Sequence, residues 1–193
     1  MKTFIQLSCV LAVLMIATGI CNAQTGSNPS SGIGLKVKSG TLVFNVTENG
    51  KEQSATFTFD NYGADFRVES GDEVSIASGS THKAYKLNHA NKTYSEENYF
   101  SARLQLRLFF FTGDDAAVKK FPEYKKLPNR TVAGKDCMVF SFTDKSQTIT
   151  VGEWKGLLFL KESQGNDFMA NSFSETVSES AFTVPSGYKL AEN

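Results

Sequence analysis

Residues 40–59 read GTLVFNVTENGKEQSATFTF, and this stretch decides the fold. Apolar side chains recur at every second position on both sides of an Asn49-Gly50 pair: Leu42, Phe44 and Val46 before it, and Ala55, Phe57 and Phe59 after it. A period of two is typical of strands with one buried face. Asn-Gly is the preferred pair of a two-residue hairpin turn, because both residues must adopt a positive φ. The stretch therefore predicts a β-hairpin.

The N-terminus predicts export from the cytoplasm. One positive charge, Lys2, precedes an apolar stretch from about Phe4 to Ile16, which is shorter than the roughly 20 residues of a membrane-spanning helix. Small residues then lead to a cleavage site between Ala23 and Gln24. We predict a signal peptide at 1–23, a flexible Gly/Ser-rich lead at 24–38 and a single domain at 39–190, located in the periplasm or secreted. The mature chain then has no transmembrane segment.

Two other interpretations of the N-terminus are weaker. The apolar stretch could remain as an anchor, but it is short for that purpose. Cys21 could carry a lipid, but the residue before it, Ile20, is not small. After cleavage Cys137 is the one remaining cysteine, so we predict no internal disulfide.

The alternating pattern continues along most of the chain and is interrupted once. Nine or ten short strands are predicted, with a break at residues 95–121. In the break, apolar residues recur at helical spacing, although alternation from Leu104 to Phe110 competes with it. We favour a helix capped by Ser95, followed by a second short helix at 114–120. The first helix is predicted to bury one stripe against the sheet, made of Phe100, Leu104, Leu108 and Phe111.

These elements predict an α+β, mostly β domain. Its architecture would be a curved antiparallel sheet, or incomplete β-barrel, with a helical insert that covers the concave face.

The order of strands and turns resembles the LolA/LolB lipoprotein-carrier superfamily. The segments that carry the resemblance are FTFDNYGADFRVES (57–70), THKAYKLNHANKTY (81–94), TVAGKDCMVFSF (131–142), EWKGLLFLKES (153–163) and FTVPSGYKL (182–190). The resemblance covers most of 39–190 and implies a half-barrel whose apolar cavity, plugged by helices, accepts acyl chains or other apolar ligands.

Catalysis finds little support in the sequence. There is no G-x-S-x-G, H-E-x-x-H or C-x-x-C motif, and His82 and His89 are interpreted as surface residues. We predict no catalytic residue, no metal and no cofactor. Lys and Arg total 20, as do Asp and Glu, so the chain has no basic excess for nucleic acid. Cys137, beside an apolar strand, is predicted to be buried and inert.

Phenylalanine is abundant, with 16 residues in 193. We predict a non-enzymatic protein that binds a lipid or another apolar small molecule in a groove between sheet and helix. The predicted groove residues are Phe57, Phe59, Phe66, Phe100, Leu104, Leu108, Phe110, Phe140 and Phe142. The alternative is a structural or interaction module that offers its sheet edges to an envelope protein, and a third option is a hydrolase without a recognisable motif.

Cleavage after Ala23 is tested by intact mass spectrometry of the exported protein. We expect a chain that begins at Gln24, because small residues precede this bond. A mass that includes residues 1–23, or a lipid adduct on Cys21, would contradict the assignment.

Overall fold

The computed structural model describes residues 35–106 and 118–191. The strands are β1 (Gly40–Glu48), β2 (Lys51–Asp60), β3 (Asp65–Ser70), β4 (Glu73–Ser78), β5 (Lys83–Asn88), β6 (Thr93–Glu97), β7 (Lys125–Val132), β8 (Lys135–Asp144), β9 (Gln147–Trp154), β10 (Leu157–Glu162), β11 (Asn166–Ser174) and β12 (Lys189–Leu190). One α-helix, α1 (Tyr99–Leu106), lies between β6 and β7 in the described part of the chain. Short 3-10 turns occur at Asn61–Gly63, Val118–Lys120 and Glu179–Phe182.

All twelve strands form one curved, unclosed sheet in the order β12-β6-β5-β4-β3-β2-β1-β11-β10-β9-β8-β7. The first six strands form one antiparallel meander, and β7 to β11 form a second. Antiparallel pairing of β1 with β11 joins the two meanders, and β12 pairs in parallel with β6. The predicted fold class, a mostly β half-barrel, is confirmed.

The first hairpin follows the predicted register. Gly40 to Glu48 pair residue by residue with Phe59 to Lys51, so the turn is Asn49-Gly50. Both turn residues have positive φ, 50° and 75°. Leu42, opposite Phe57, therefore lies on the same face of the sheet, which we call the inner face.

The second half of the sheet contains more strand than the sequence pattern predicts. The strand β7 begins at Lys125 and includes Pro128. Proline is tolerated there because β7 is an edge strand, where a missing N–H costs no ladder hydrogen bond. Near β7 the sheet bends strongly, since β7 and β11 approach each other although three strands lie between them.

The helical region agrees with the prediction only in part. The predicted cap is wrong, because Ser95, Glu96 and Glu97 belong to β6. The cap is Asn98, whose Oδ1 accepts hydrogen bonds from the N–H groups of Phe100 (2.9 Å) and Ser101 (3.2 Å). The helix itself is confirmed for residues 99–106, whereas most of the second predicted helix lies outside the described residues.

A substitution at Gly50 tests the turn. Gly50→Val forces a β-branched residue into positive φ, which costs about 1–3 kcal/mol of unfolding free energy. A Cβ at this position would meet no atom within 4 Å, so the cost is conformational. Gly50→Asn is the matched control, since Asn tolerates this region. Calorimetry should show a lower thermal midpoint for the valine variant alone, and equal midpoints would exclude the assigned turn.

Candidate functional site

The inner face of the sheet is lined by aromatic side chains that converge into one core. The largest fully buried members are Phe44, Phe57, Phe59, Phe66, Phe140, Phe142, Phe159 and Phe168. Three ring pairs stack: Phe44 on Phe168 at 4.6 Å between centroids, Phe57 on Phe59 at 5.3 Å, and Phe140 on Phe142 at 6.4 Å. The strand residues predicted for the groove therefore lie together, although each is covered from solvent in this structure.

Helix α1 covers part of this inner face. Tyr99, Ala102 and Leu106 are buried, and the helix contacts β4 and β5. The sheet contributes Ala77 and Ala84 to the same core, and these small side chains allow the helix to pack close to the sheet. The Tyr99 hydroxyl donates a hydrogen bond to the Ala64 carbonyl at 3.3 Å.

The approach of Tyr99 depends on Gly79. A Cβ on Gly79 would lie 2.9 Å from the Ala64 carbonyl oxygen and 3.2 Å from the Tyr99 hydroxyl. Burial raises the pKa of the Tyr99 hydroxyl, and Arg103, whose guanidinium lies 5.9 Å from the ring centroid, opposes that rise. The hydroxyl therefore stays protonated and available as a donor at neutral pH.

The predicted helical stripe is wrong for the residues that can be compared. Phe100 is 64% exposed and Leu104 is 56% exposed, so neither packs against the strands. The buried side is Tyr99, Ala102 and Leu106, displaced around the helix from the predicted stripe. The prediction fails because alternation from Leu104 to Phe110 competes with helical spacing in the sequence, and because the buried side includes a tyrosine and an alanine, which the pattern of large apolar residues does not mark. Leu108, Phe110 and Phe111 lie outside the described residues.

A polar depression lies elsewhere on the sheet. It is lined by Thr148, Thr150, Glu162, Ser163, Gln164 and Asp167. Glu162 forms an ion pair with Arg130 at 2.9 Å, and Asp167 Oδ1 accepts a hydrogen bond from the Ser163 N–H. These acceptors are already engaged in local hydrogen bonds and ion pairs.

Lys161 is a buried cation of this region. Burial lowers the pKa of its ammonium group, and the nearby carboxylate of Asp167 partly offsets that effect. Sequence reasoning missed Lys161 because it sits within an apolar run, where its burial could not be read from alternation.

The part of the chain described by the structure holds no group of three or more His, Cys, Asp or Glu residues that could bind a metal ion. Within the same residues, no helix is both long and apolar enough to cross a membrane.

No protein-family model matches the sequence, and no curated protein sequence matches it. Solved structures do match. The MucA/MucB complex of Pseudomonas aeruginosa matches with a TM-score of 0.52 and 13% identity, over 76% of this chain and 56% of the matched chain. MucB in complex with MucA(peri) matches with a TM-score of 0.51 and 12% identity, over 77% and 54%. These matches support a LolA/LolB-like fold.

A third structure has a similar size. An uncharacterized conserved protein from Thermus thermophilus matches with a TM-score of 0.51 and 7% identity, over 95% of this chain and 98% of that chain. In contrast, this chain spans about half the length of the matched MucB chains. At these identities the similarity shows the fold alone.

Cys137 is fully buried, and its thiol donates to the Lys135 carbonyl at 3.5 Å. Burial raises the pKa of the thiol to about 11. Because the thiolate is the reactive form, maleimide labelling at pH 8 should be at least about 100-fold slower in the native protein than in denaturant. Mass spectrometry over time measures both rates, and rapid native labelling would contradict an inert thiol.

Proposed function

We propose that this domain is a non-enzymatic binding protein that works outside the cytoplasm and takes up an apolar ligand, such as a lipid tail or a lipidated peptide. The observation that carries the proposal is the contrast between the two sides of α1. Its inner side buries Tyr99 and Leu106 against the phenylalanine-lined sheet, and its outer side leaves Phe100 and Leu104 in solvent.

The ligand would enter the sheet interior by displacing α1. Two features favour movement of this helix over movement of the strands. In the described residues the helix comprises eight residues, and a helical segment of that length is not stable in water without tertiary packing. Its inner surface includes Ala102, which loses little burial when the helix moves. Opening at this place would uncover the apolar side chains of Phe66, Ala77 and Ala84.

Phe100 and Leu104 would provide the first contact for the ligand. They are four residues apart and therefore neighbours on the outer side of the helix. This exposed apolar pair offers a surface on which an apolar ligand can gain burial. Once α1 moves, an acyl chain bound to the outer side of the helix would pass into the interior of the sheet.

The free-energy balance favours long ligands. Burial yields about 0.8 kcal/mol per methylene, so ten methylenes contribute about 8 kcal/mol. Association costs about 4–15 kcal/mol in lost translational and rotational freedom, and the displaced helix adds to that cost. Short apolar molecules would therefore bind weakly, whereas lipid tails of common length would bind measurably.

The solved neighbours are compatible with this role. MucB is a protein with a LolA-like fold whose structure includes a bound partner, MucA. A binding or interaction role in the cell envelope agrees with those neighbours, and with the export that the N-terminus predicts.

Titration of a fluorescent C16 fatty acid into the mature protein tests the proposal. The double variant Phe100→Ala/Leu104→Ala should bind about tenfold more weakly, while its thermal midpoint stays near that of the wild type because both side chains are exposed. Met169→Ala, an exposed apolar residue on β11, is the matched control and should bind normally.

Leu106→Ala separates ligand contact from stability. Leu106 is 1% exposed on the same helix, so its truncation should cost about 2–5 kcal/mol as a core deletion, while Leu104→Ala should not. Absence of fatty-acid binding by the wild type, or equal binding by the double variant, would refute the proposed function.

A further inference from the structure

The outer face of the sheet carries a second apolar cluster, separate from the inner core. Val74, Ile76 and Leu87 are at most 1% exposed, and Tyr85 and Tyr94 pack against them. The register shows how local this cluster is. Thr58 lies opposite Arg67, Arg67 opposite Ile76, and Ile76 opposite Tyr85, so the outer face changes from polar to apolar between β3 and β4.

The chain's own C-terminal segment, residues 182–190, covers this cluster. Phe182, Val184 and Tyr188 pack on it, but all three remain only half-buried. The segment then reaches the edge of the sheet, where Lys189 lies opposite Thr93 and Leu190 opposite Tyr94. The three aliphatic side chains beneath are thus almost fully buried by a segment whose own side chains are only half-buried.

Few polar contacts hold this segment in place. The N–H groups of Lys189 and Ala191 donate to the carbonyls of Lys92 (3.0 Å) and Tyr94 (2.8 Å). The Tyr188 hydroxyl is hydrogen-bonded to Nδ1 of His89, whose Nε2 lies 3.5 Å from Glu69 Oε1. Glu69 in turn pairs with Arg67 at 2.7 Å.

In the described residues, strand β6 extends further than the segment that pairs with it. Of its five residues, Thr93 and Tyr94 pair with β12, while the described pairing of Ser95, Glu96 and Glu97 is with β5. Tyr94 offers its carbonyl to β12, so strand alternation directs the backbone groups of Glu96 to the same edge. A longer strand would form additional ladder hydrogen bonds there.

We propose that the outer face of β4, β5 and β6 is a docking surface for an extended segment of a partner polypeptide, which replaces residues 182–190 and runs parallel to β6. The chain's own segment acts as a resident competitor. This inference concerns the face opposite the proposed lipid site and does not depend on lipid binding.

The surface specifies the partner's side-chain pattern. An aromatic residue takes the place of Tyr188, and two positions later an aliphatic residue takes the place of Leu190. Two positions further, the partner residue lies opposite Glu96, where a Lys or Arg gives a cross-strand ion pair. Main-chain pairing supplies affinity, and the alternating side chains supply selectivity, as in other strand additions to a sheet edge.

Displacement is feasible because the competition from the resident segment is limited and the partner gains additional contacts. A tethered segment competes at an effective concentration in the millimolar range for a short connection. A partner strand that also pairs with Ser95–Glu97, and neutralises Glu96, makes contacts that the described part of the resident segment does not make.

Two fluorescent peptides test this surface in the full mature chain. Both carry residues 182–191, and one ends in two lysines while the other ends in two glutamates. The recipient is Tyr188→Phe, which removes the hydroxyl bonded to His89 and loosens the resident segment. The lysine peptide should bind this variant at least tenfold more tightly than it binds the wild type. Its affinity for the variant should also exceed that of the glutamate peptide at least threefold.

Adding Glu96→Lys to the Tyr188→Phe variant should reverse the preference between the two peptides. Glu96 is exposed, so the change should leave the thermal midpoint nearly unaltered. Tyr62→Phe, at an exposed tyrosine in the turn between β2 and β3, is the control and should bind as the wild type does. Absence of binding, or a preference unaffected by Glu96→Lys, would overturn the proposal. A dimer that forms without peptide in sedimentation would also overturn it, because a second copy's C-terminal segment would then be the occupant.

Discussion

The pairing of β1 with β11 is the contact on which the rest of the structure depends. It joins two meanders that are otherwise connected by the chain between β6 and β7 and by the C-terminal segment, where β12 pairs with β6. The paired residues are more than a hundred positions apart, so loop-closure entropy opposes the contact until side-chain burial offsets it. The stacked rings of Phe44 and Phe168, one on each strand, supply much of that burial. A bulge between Val43 and Phe44 shifts the register and allows both rings to face the inner core.

With this seam, the pairing of β1 with β11, in place, the two faces of the sheet differ in the side chains that they carry. The inner face collects the phenylalanines of both meanders into one core, whereas around β1 and β2 the outer face carries pairs such as Thr41 opposite Thr58. A single curved sheet cannot bury both faces against itself, so a cluster of apolar residues on the outer side is buried only if another segment covers it. That constraint explains why Val74, Ile76 and Leu87 lie under the C-terminal segment.

Most of the sheet could be predicted from the sequence, because alternation and turn pairs are local signals. The Asn49-Gly50 hairpin and its register are examples. The buried side of α1 could not be predicted, since it is selected by the room that Gly79 and two sheet alanines leave, and these contacts are distant in sequence. The two-residue strand β12 carries no periodic signal, and its parallel pairing with β6 is decided by Tyr188 packing against the outer cluster. The predicted groove residues Phe57 and Phe140 do share one core, but their burial depends on tertiary packing, which the local sequence pattern does not encode.

Two of the segments that cover this sheet share one physical property. Helix α1 and residues 182–190 each shield side chains that are almost completely buried, yet each keeps large apolar groups of its own in solvent, Leu104 on the helix and Leu190 on the tail. Elements with few buried contacts open at a lower free energy than the sheet they cover. If either cover opened as proposed, the sheet would expose an apolar surface on that face while β1 stayed paired with β11. The two proposed binding events would therefore leave the pairing of β1 with β11 intact, so recognition and stability would depend on different contacts.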